Sequence, residues 1–414
     1  MSSDVLPPSR RLLRDFVLLG AGFFVVAAIL YARLVSVAPF PRDGSGLVVG
    51  RDFLNLWMYG RATASAHPWA WYNLAAYQHA LAALLGPGYP GQNWSYPPNI
   101  MLLAAPFGRM AYLPALALST GAGLFVFLAA ARWQAWSSQV VLAALVSPAA
   151  FFCLISGQSA FFIAAILSAI FCLLGRKPAL AGCLIATLTL KPQIGLLFPL
   201  ALAASGRWRA FAAAVLGTIA IAATTTMLFG AESWIAFVRE GIPTQNLVLV
   251  DRAGIAGPFY ATVFMNLHSA GLSYGFAMMV QVAFAVFAAA VLFWIFRRHR
   301  DANPYFLLAL FTACTATALP YLLIYDTFPM TLGALLLLES GMLDAAGRVL
   351  VRFVYWLPLL QIGFGKLHLP GPALVAPVFM GILLWSVLRR SGQPDLGEIP
   401  GFPIGFWHSS ASEG

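Results

Sequence analysis

The sequence predicts an all-α polytopic membrane protein with about twelve transmembrane helices. Of its 414 residues, 61% are hydrophobic and only 9% are charged, and the mean hydropathy is +0.82. Soluble domains carry about 25% charged residues, so an ordinary soluble globule is excluded. The net charge of +10 comes from cations that stand in short clusters between apolar runs. Such clusters are typical of membrane topology, and they do not indicate a nucleic-acid partner.

The first apolar run, roughly residues 12–37, predicts a retained spanning helix. It is too long for the core of a signal peptide, and it lacks a small-residue cleavage pattern. Arg10, Arg11 and Arg14 stand at its start. Because cations favour the cytoplasmic side of a membrane, we expect a cytoplasmic N-terminus and an extracytoplasmic loop after the first helix.

We expect this first extracytoplasmic loop to cover residues 39–97. Within it, residues 69–85 are aromatic and apolar without charge, which favours a helix lying in the membrane interface. The apolar run at residues 99–110 is only about a dozen residues long, too short to cross a bilayer at 1.5 Å per residue. We interpret it as a half-inserted segment.

The remaining apolar runs predict further spans and one broken hairpin. Spans are expected at about residues 112–132, 138–155, 159–175, 210–229, 274–296, 304–322, 327–341, 350–364 and 372–388. Two shorter runs, about 179–190 and 193–205, are separated by Lys191-Pro192 and flanked by cations, which predicts a segment that enters the membrane and returns. Residues 1–390 are thus expected to form one transmembrane domain in the cell membrane, and residues 391–414 a polar cytoplasmic tail.

Asp52 is the leading candidate for a catalytic residue. It is one of only 14 acidic residues, and it lies in a polar and aromatic part of the first outer loop, three residues before Asn55. A carboxylate in this setting can act as a general base that takes a proton from an attacking hydroxyl. The alternative is a loop carboxylate that forms a salt bridge with Arg51 or Arg61.

Lys191 is the second candidate, because a lysine within an apolar hairpin is costly. Insertion at a helix centre costs about 3 kcal/mol, so we expect a cavity and a partner. Lys191, Gln193 and the exposed backbone at the break offer several donors to a phosphate. Snorkelling to the interface and pairing with a carboxylate are the alternatives.

Weaker candidates lie in other predicted outer turns. Asp326, after Tyr325, is either a site residue or the cap of a helix. Gln158 is either a partner of a sugar hydroxyl or part of a plain turn. The other residues expected to bind donor or acceptor are Arg51, Asn55, Arg61, Tyr96 and His368. The first outer loop has no Asp-x-Asp motif, and no cluster of acids and histidines has ligand spacing. We therefore expect no metal and no other cofactor.

Four motifs together resemble glycosyltransferase family 87, a polytopic group of the GT-C superfamily. They are residues 51–57 (RDFLNLW), 95–98 (SYPP), 190–193 (LKPQ) and 321–326 (YLLIYD). The resemblance covers about residues 50–340. Each motif is weak alone, and the specificity lies in their order and in the membrane side on which they are expected.

The resemblance implies an inverting hexosyltransferase with the GT-C fold. Such an enzyme moves a hexose, typically mannose, from a polyprenyl-phosphate donor to an acceptor hydroxyl of a glycan or glycolipid on the extracytoplasmic face. Asp52 matches the catalytic acid position of the family. Lys191 falls where GT-C enzymes carry a hairpin lysine near the donor phosphate. Gln158 stands where some relatives have another acid, and its neutrality argues against a metal-bound diphosphate donor.

Three other classes of protein remain as alternatives. A lipid-linked sugar flippase or other membrane transporter tends to have repeated halves and paired broken helices, whereas this sequence has one broken hairpin and no evident repeat. A ligase or polymerase of another fold would have large outer loops rich in arginine and histidine. A membrane scaffold would leave Lys191 unexplained.

Overall fold

The computed structural model describes residues 7–94, 96–250 and 257–390. This part of the chain is helical and contains no β-strand, only isolated bridges between Arg42 and Val48 and between Tyr260 and Leu323. The all-α prediction is therefore confirmed. Ser95 of the SYPP motif and the predicted cytoplasmic tail at 391–414 lie outside the described residues.

Twenty α-helices follow one another in the described ranges. They are α1 (Pro8–Ser36), α2 (Phe53–Ala62), α3 (Leu74–Leu85), α4 (Ile100–Gly108), α5 (Tyr112–Trp133), α6 (Ser138–Leu145), α7 (Pro148–Ser156), α8 (Ala160–Leu173), α9 (Pro178–Thr187), α10 (Pro192–Gly195), α11 (Phe198–Ala204), α12 (Trp208–Phe229), α13 (Glu232–Ala236), α14 (Ile242–Val250), α15 (Val263–Ser269), α16 (Tyr274–Arg298), α17 (Pro304–Ala318), α18 (Phe328–Glu339), α19 (Ala345–Lys366) and α20 (Val375–Arg390). Short 3₁₀ turns include Ala70–Tyr72, Leu188–Leu190 and Ile324–Thr327.

Six helices in the described residues are long and apolar enough to cross a membrane. They are α1, α5, α12, α16, α19 and the segment Gly371–Arg389 that contains α20. The pair α6 and α7, bent by 55° at its break, would make a seventh. These helices coincide with predicted spans, but the expected total of about twelve is not confirmed. The runs at 159–175, 304–322 and 327–341 form the shorter helices α8, α17 and α18.

Helix length accounts for the difference in number, and burial explains why shorter apolar helices are stable here. In α18, every residue from Phe328 to Leu338 is buried inside the protein, and α17 is buried over most of its length. A helix of 12 residues is about 18 Å long, shorter than the roughly 30 Å of a bilayer core. An apolar run is equally suited to a protein core and to lipid, so hydropathy alone cannot distinguish these environments.

The long helix α5 joins two opposite ends of the molecule, about 33 Å apart for its 22 residues. At its start, the Tyr112 hydroxyl donates to the carbonyl of Val49, close to Asp52. Just after its end, Gln134 donates to the Ser168 hydroxyl. We name the end that holds Val49 and Asp52 the site end, and the end that holds Gln134 the arginine end.

Residues 176–207 start at the arginine end and return to it, as the predicted hairpin requires. Gly175 lies beside the guanidinium of Arg207, which in turn donates to the carbonyl of Arg300 at 2.6 Å. Between these points, Lys191 stands at the break between the Leu188–Leu190 turn and α10, and its side chain contacts Asp326. The proline after Lys191 ends the first half of the hairpin at this point.

The run at 99–110, predicted to be half-inserted, forms α4 and packs directly on α2, the helix that follows Asp52. The contact is made by two glycines. A Cβ on Gly60 would overlap the carbonyl oxygen of Ala104, and a Cβ on Gly108 would overlap the backbone of Gly60. The backbones of α2 and α4 therefore touch at a distance that only glycine permits, and this contact fixes the helix behind Asp52.

We expect Gly60→Ala to lower the thermal unfolding temperature of the detergent-purified protein. The added methyl group forces α2 and α4 apart, and overpacking of this kind costs about 1–3 kcal/mol. Gly121→Ala in α5 is the matched control, because no atom lies within 4 Å of its added Cβ. The control should melt at or slightly above the wild-type temperature, since alanine favours a helix. Equal melting of the two variants would contradict the packing argument.

Candidate active site

Three of the predicted site residues, Asp52, Gln158 and Tyr325, meet in the structure. Oδ2 of Asp52 accepts a hydrogen bond from the Tyr325 hydroxyl at 2.7 Å and another from Nε2 of Gln158 at 3.2 Å. The same Gln158 nitrogen lies 3.2 Å from the Tyr325 hydroxyl oxygen. The three residues come from a loop, a turn and a 3₁₀ segment that are far apart in the chain. The fold thus gathers them around one carboxylate.

A glycine explains how Gln158 reaches Asp52. Gly157 ends α7 in the left-handed conformation, with φ of 60°. A Cβ at this position would collide with the Cβ of Phe53, the first residue of α2. Gly157 therefore satisfies both a positive φ and a close approach to α2, and the next residue stands beside Asp52.

Tyr325 is suited to be a permanent donor to Asp52. Only 6% of its surface is exposed. Burial raises the pKa of the Tyr325 hydroxyl well above its usual value, and the negative charge of Asp52 raises it further. The phenol therefore keeps its proton, and it orients the carboxylate.

Lys191 and Asp326 form a buried ion pair directly beside this cluster. Only 4% of Lys191 and 9% of Asp326 are exposed, and the Lys191 ammonium lies 5.5 Å from the centroid of the Tyr325 ring. The structure thus has the carboxylate pairing that was one alternative for Lys191. Because Tyr325 and Asp326 are neighbours, one 3₁₀ turn holds Asp52 by one residue and Lys191 by the next.

Two cavities meet at Asp52, Tyr96 and Gln158, which line both. The apolar cavity, about 200 Å³, has Lys191 in its wall. Its other walls are largely hydrocarbon, from Leu56, Ile100, Leu103, Phe107, Phe162 and Ile166. The polar cavity, about 510 Å³, is rich in side-chain amides and tyrosines, including Asn55, Gln92, Asn93, Gln193, Asn246 and Tyr321. Asp52 therefore separates an apolar space from a polar one.

The two arginines near Asp52 interact with other groups. Arg51 donates to Asp43, which is fully buried, at 2.7 Å. The exposed guanidinium of Arg61 lies 4.9 Å from the ring centroid of Trp57. Within the described part of the chain, the Asp52 carboxylate makes no ion pair. The salt bridge considered as the alternative for Asp52 is therefore not present there.

The other candidates divide between the site and the surface. The Asn55 side-chain oxygen accepts a bond from the Tyr77 hydroxyl at 2.5 Å, and Asn55 lines the polar cavity. His368 is exposed, with Nδ1 at 3.1 Å from the carbonyl of Ser269. His368, Arg51 and Arg61 line neither cavity, so the structure does not bring these three into the candidate site.

Residues around Tyr96 also support the site, and the sequence pointed to Tyr59 among them but not to the role of Tyr72. The Tyr96 carbonyl accepts bonds from the hydroxyls of Tyr59, at 3.1 Å, and Tyr72, at 2.7 Å. Tyr72 belongs to the segment predicted to lie in the interface, but it is buried in the protein. Gln92, in the wall of the polar cavity, could have been found from a weak sequence signal, because it belongs to a polar pair just before an aromatic motif. No sequence signal marks Asn246 on α14, because only the fold places it near Asp52.

One comparison with known proteins identifies a family. A model of glycosyltransferase family 87 matches residues 94–325, more than half of the 414-residue chain. The match includes Tyr96, Gln158, Lys191 and Tyr325, whereas Asp52 lies before it. No curated protein and no solved structure matches the chain.

Proposed function

Because the chain belongs to glycosyltransferase family 87, we propose that it moves a hexose, most simply mannose, from a polyprenyl-phosphate donor to an acceptor hydroxyl. The family and the long apolar helices make it a membrane glycosyltransferase. The observation that best supports the finer proposal is the position of Asp52, between an apolar cavity that contains a lysine and a polar cavity rich in amides. A lipid-linked donor and a hydroxylated acceptor need these two environments on either side of one base.

The two cavities suggest which substrate binds on each side of Asp52. The isoprenoid part of the donor enters the apolar cavity, and its phosphate lies near Lys191 in the same wall. One ammonium proton is directed to Asp326, which leaves two donors of Lys191 for phosphate oxygens. The acceptor, a glycan or glycolipid, presents its hydroxyl from the polar cavity, where the amides of Asn55 and Gln193 offer donors and acceptors to sugar hydroxyls.

The proposed reaction is a single displacement at the anomeric carbon. Asp52 takes the proton of the acceptor hydroxyl while the oxygen attacks that carbon. The bond between the anomeric carbon and the phosphate oxygen breaks, and its electron pair leaves with the polyprenyl phosphate. The positive charge of Lys191 stabilises the leaving phosphate, so no second acid is required. Attack from the face opposite the phosphate inverts the configuration.

We also propose the GT-C fold, with both termini in the cytoplasm and the site end outside the cell membrane. The distribution of cations supports this orientation. Arg132, Arg176, Arg207 and Arg300 stand at or near the arginine end, and such clusters favour the cytoplasmic side.

A transfer assay tests the proposal. The protein in nanodiscs is incubated with labelled polyprenyl-phosphate-mannose, or with other polyprenyl-phosphate sugars, and with a membrane-lipid extract. We expect label to move into a new glycolipid or, without an acceptor, to appear slowly as free sugar. No turnover with any of these donors, together with movement of the sugar-lipid across proteoliposomes, would instead establish a flippase.

We expect transfer to continue at an unchanged rate in the presence of EDTA. The reason is that the charge on the leaving phosphate is to be met by Lys191, so no divalent cation takes part. The assay is repeated after dialysis against EDTA and after addition of Mg²⁺ or Mn²⁺. A loss of turnover that Mg²⁺ or Mn²⁺ restores would refute a metal-independent reaction.

Tyr325→Phe is expected to lower turnover by about tenfold to a hundredfold, since a hydrogen bond to a charged group contributes roughly 1.5–3 kcal/mol. The variant removes only the hydroxyl that orients Asp52. Tyr355→Phe is the control, because that hydroxyl donates to the carbonyls of Phe16 and Ala143, outside the site. Turnover per folded molecule should change in the first variant only. An equal change in both would argue against an orienting role.

A further inference from the structure

A second cavity of mixed character lies at the arginine end of the molecule, far from Asp52. It has a volume of about 450 Å³ and lies where α16, α17, α18 and α20 meet. Its walls are buried hydrocarbon from Phe306, Leu337, Leu343, Leu383 and Val387. Arg297, Arg298 and Arg300 also line it, and all three are exposed to solvent. The cavity is therefore apolar inside and cationic at its opening.

The arginines at this opening differ in their partners. Arg300 pairs with Asp301 at 3.2 Å, and Asp301 also pairs with Arg207 at 3.3 Å. Arg297 and Arg298, by contrast, make no ion pair within the described ranges. Two guanidinium groups at the mouth of the cavity are thus available to a negatively charged ligand. Arginine is well suited to this role, because its planar fork matches the oxygens of a phosphate.

The cavity also lies at the ends of two candidate membrane spans, where a membrane surface is expected. Both α16 and the segment Gly371–Arg389 qualify as membrane spans, and both end beside it. The rings of Trp294 and His299 meet edge to face with centroids 5.7 Å apart, and Trp385, which is 52% exposed, lies under the guanidinium of Arg389 at 4.8 Å. Tryptophan and arginine at the ends of spans are typical of the membrane–water interface. Phospholipid phosphates lie at this level.

We propose that this cavity binds an anionic phospholipid. The phosphate contacts Arg297 and Arg298, and an acyl chain lies along the hydrocarbon wall formed by Leu337 and Leu383. The apolar wall favours a lipid over a free phosphate, because an acyl chain can contact the hydrocarbon of Leu337 and Leu383 and a soluble anion cannot. The site is independent of the glycosyl transfer proposed above.

Thermal unfolding of the full chain in detergent micelles tests this proposal. We expect added phosphatidylglycerol to raise the unfolding temperature in a saturable manner, and phosphatidylcholine to have little effect. In the double variant Arg297→Gln/Arg298→Gln, the apparent affinity for phosphatidylglycerol should fall by about tenfold or more, given that each cation near a membrane surface contributes roughly 1 kcal/mol. The double variant Arg132→Gln/Arg176→Gln removes the same charge from exposed positions outside the cavity, and it should respond like the wild type.

Three results would overturn the proposal. Equal responses of the two double variants would show that general surface charge, not this cavity, attracts the lipid. The same shift with inorganic phosphate alone would identify a site for a free anion. The absence of any shift would show that the cavity does not take the lipid, for example because another part of the chain fills it. None of these readings depends on enzymatic activity, so a failed transfer assay would leave the result intact.

Discussion

Replacing Asp52 with asparagine is expected to lower glycosyl transfer by about a hundredfold to ten-thousandfold, the usual contribution of a positioned general base. Asparagine has nearly the same shape as aspartate, and its side-chain oxygen still accepts the bonds from Tyr325 and Gln158. What it cannot do is take a proton from the acceptor. Because Asp52 makes no ion pair in the described ranges, its neutralisation leaves no cation unpaired, and the fold should remain intact.

Asp43→Asn supplies the matched control for this experiment. Asp43 is fully buried and accepts from Arg51 and from the backbone of Ser45. Its neutralisation should lower the unfolding temperature, because it weakens a buried charge pair, with little effect on turnover per folded molecule. Unfolding temperature and label transfer are measured for both variants. A folded Asp52→Asn protein with normal turnover would end the assignment of Asp52 as the base.

Replacing Lys191 with methionine should produce the largest loss of stability among these variants. The change leaves the Asp326 carboxylate buried without its partner, and breaking such a pair costs about 3–5 kcal/mol. We expect a strongly lowered unfolding temperature in detergent and no transfer. This single variant does not separate a structural role of Lys191 from a role in catalysis, because both would abolish turnover.

The double variant Lys191→Met/Asp326→Asn separates the two roles. It removes both charges, so most of the lost stability should return. If Lys191 also stabilises the departing phosphate, transfer should remain about a hundredfold to a thousandfold below wild type, as for the loss of one electrostatic group in an active site. Recovery of transfer together with stability would show that Lys191 acts only through its pair with Asp326.

Several residues of the site could be predicted from the sequence. The free-energy cost of a polar or charged side chain in an apolar run depends only on its neighbours in the sequence. Lys191 stands within an apolar run, and Asp52, Gln158 and Tyr325 stand where such runs are interrupted. A polar or charged group in those positions is costly unless it has a partner or a function, so each one could be selected as a candidate without a structure. The membrane class and the all-helical fold follow from composition in the same way, since apolar runs of this length can satisfy their backbone only as helices.

The partners of these residues depended on the tertiary structure. Lys191 pairs with Asp326, 135 positions later, and Arg51 pairs with Asp43 although Asp52 is its neighbour. His368 was expected in the site but lies on the surface with Ser269. The sequence by itself determined that this is a helical membrane protein with costly polar groups at the breaks. Only the folded chain decided which of them meet, and which apolar helices are buried in protein, because both depend on contacts between segments distant in sequence.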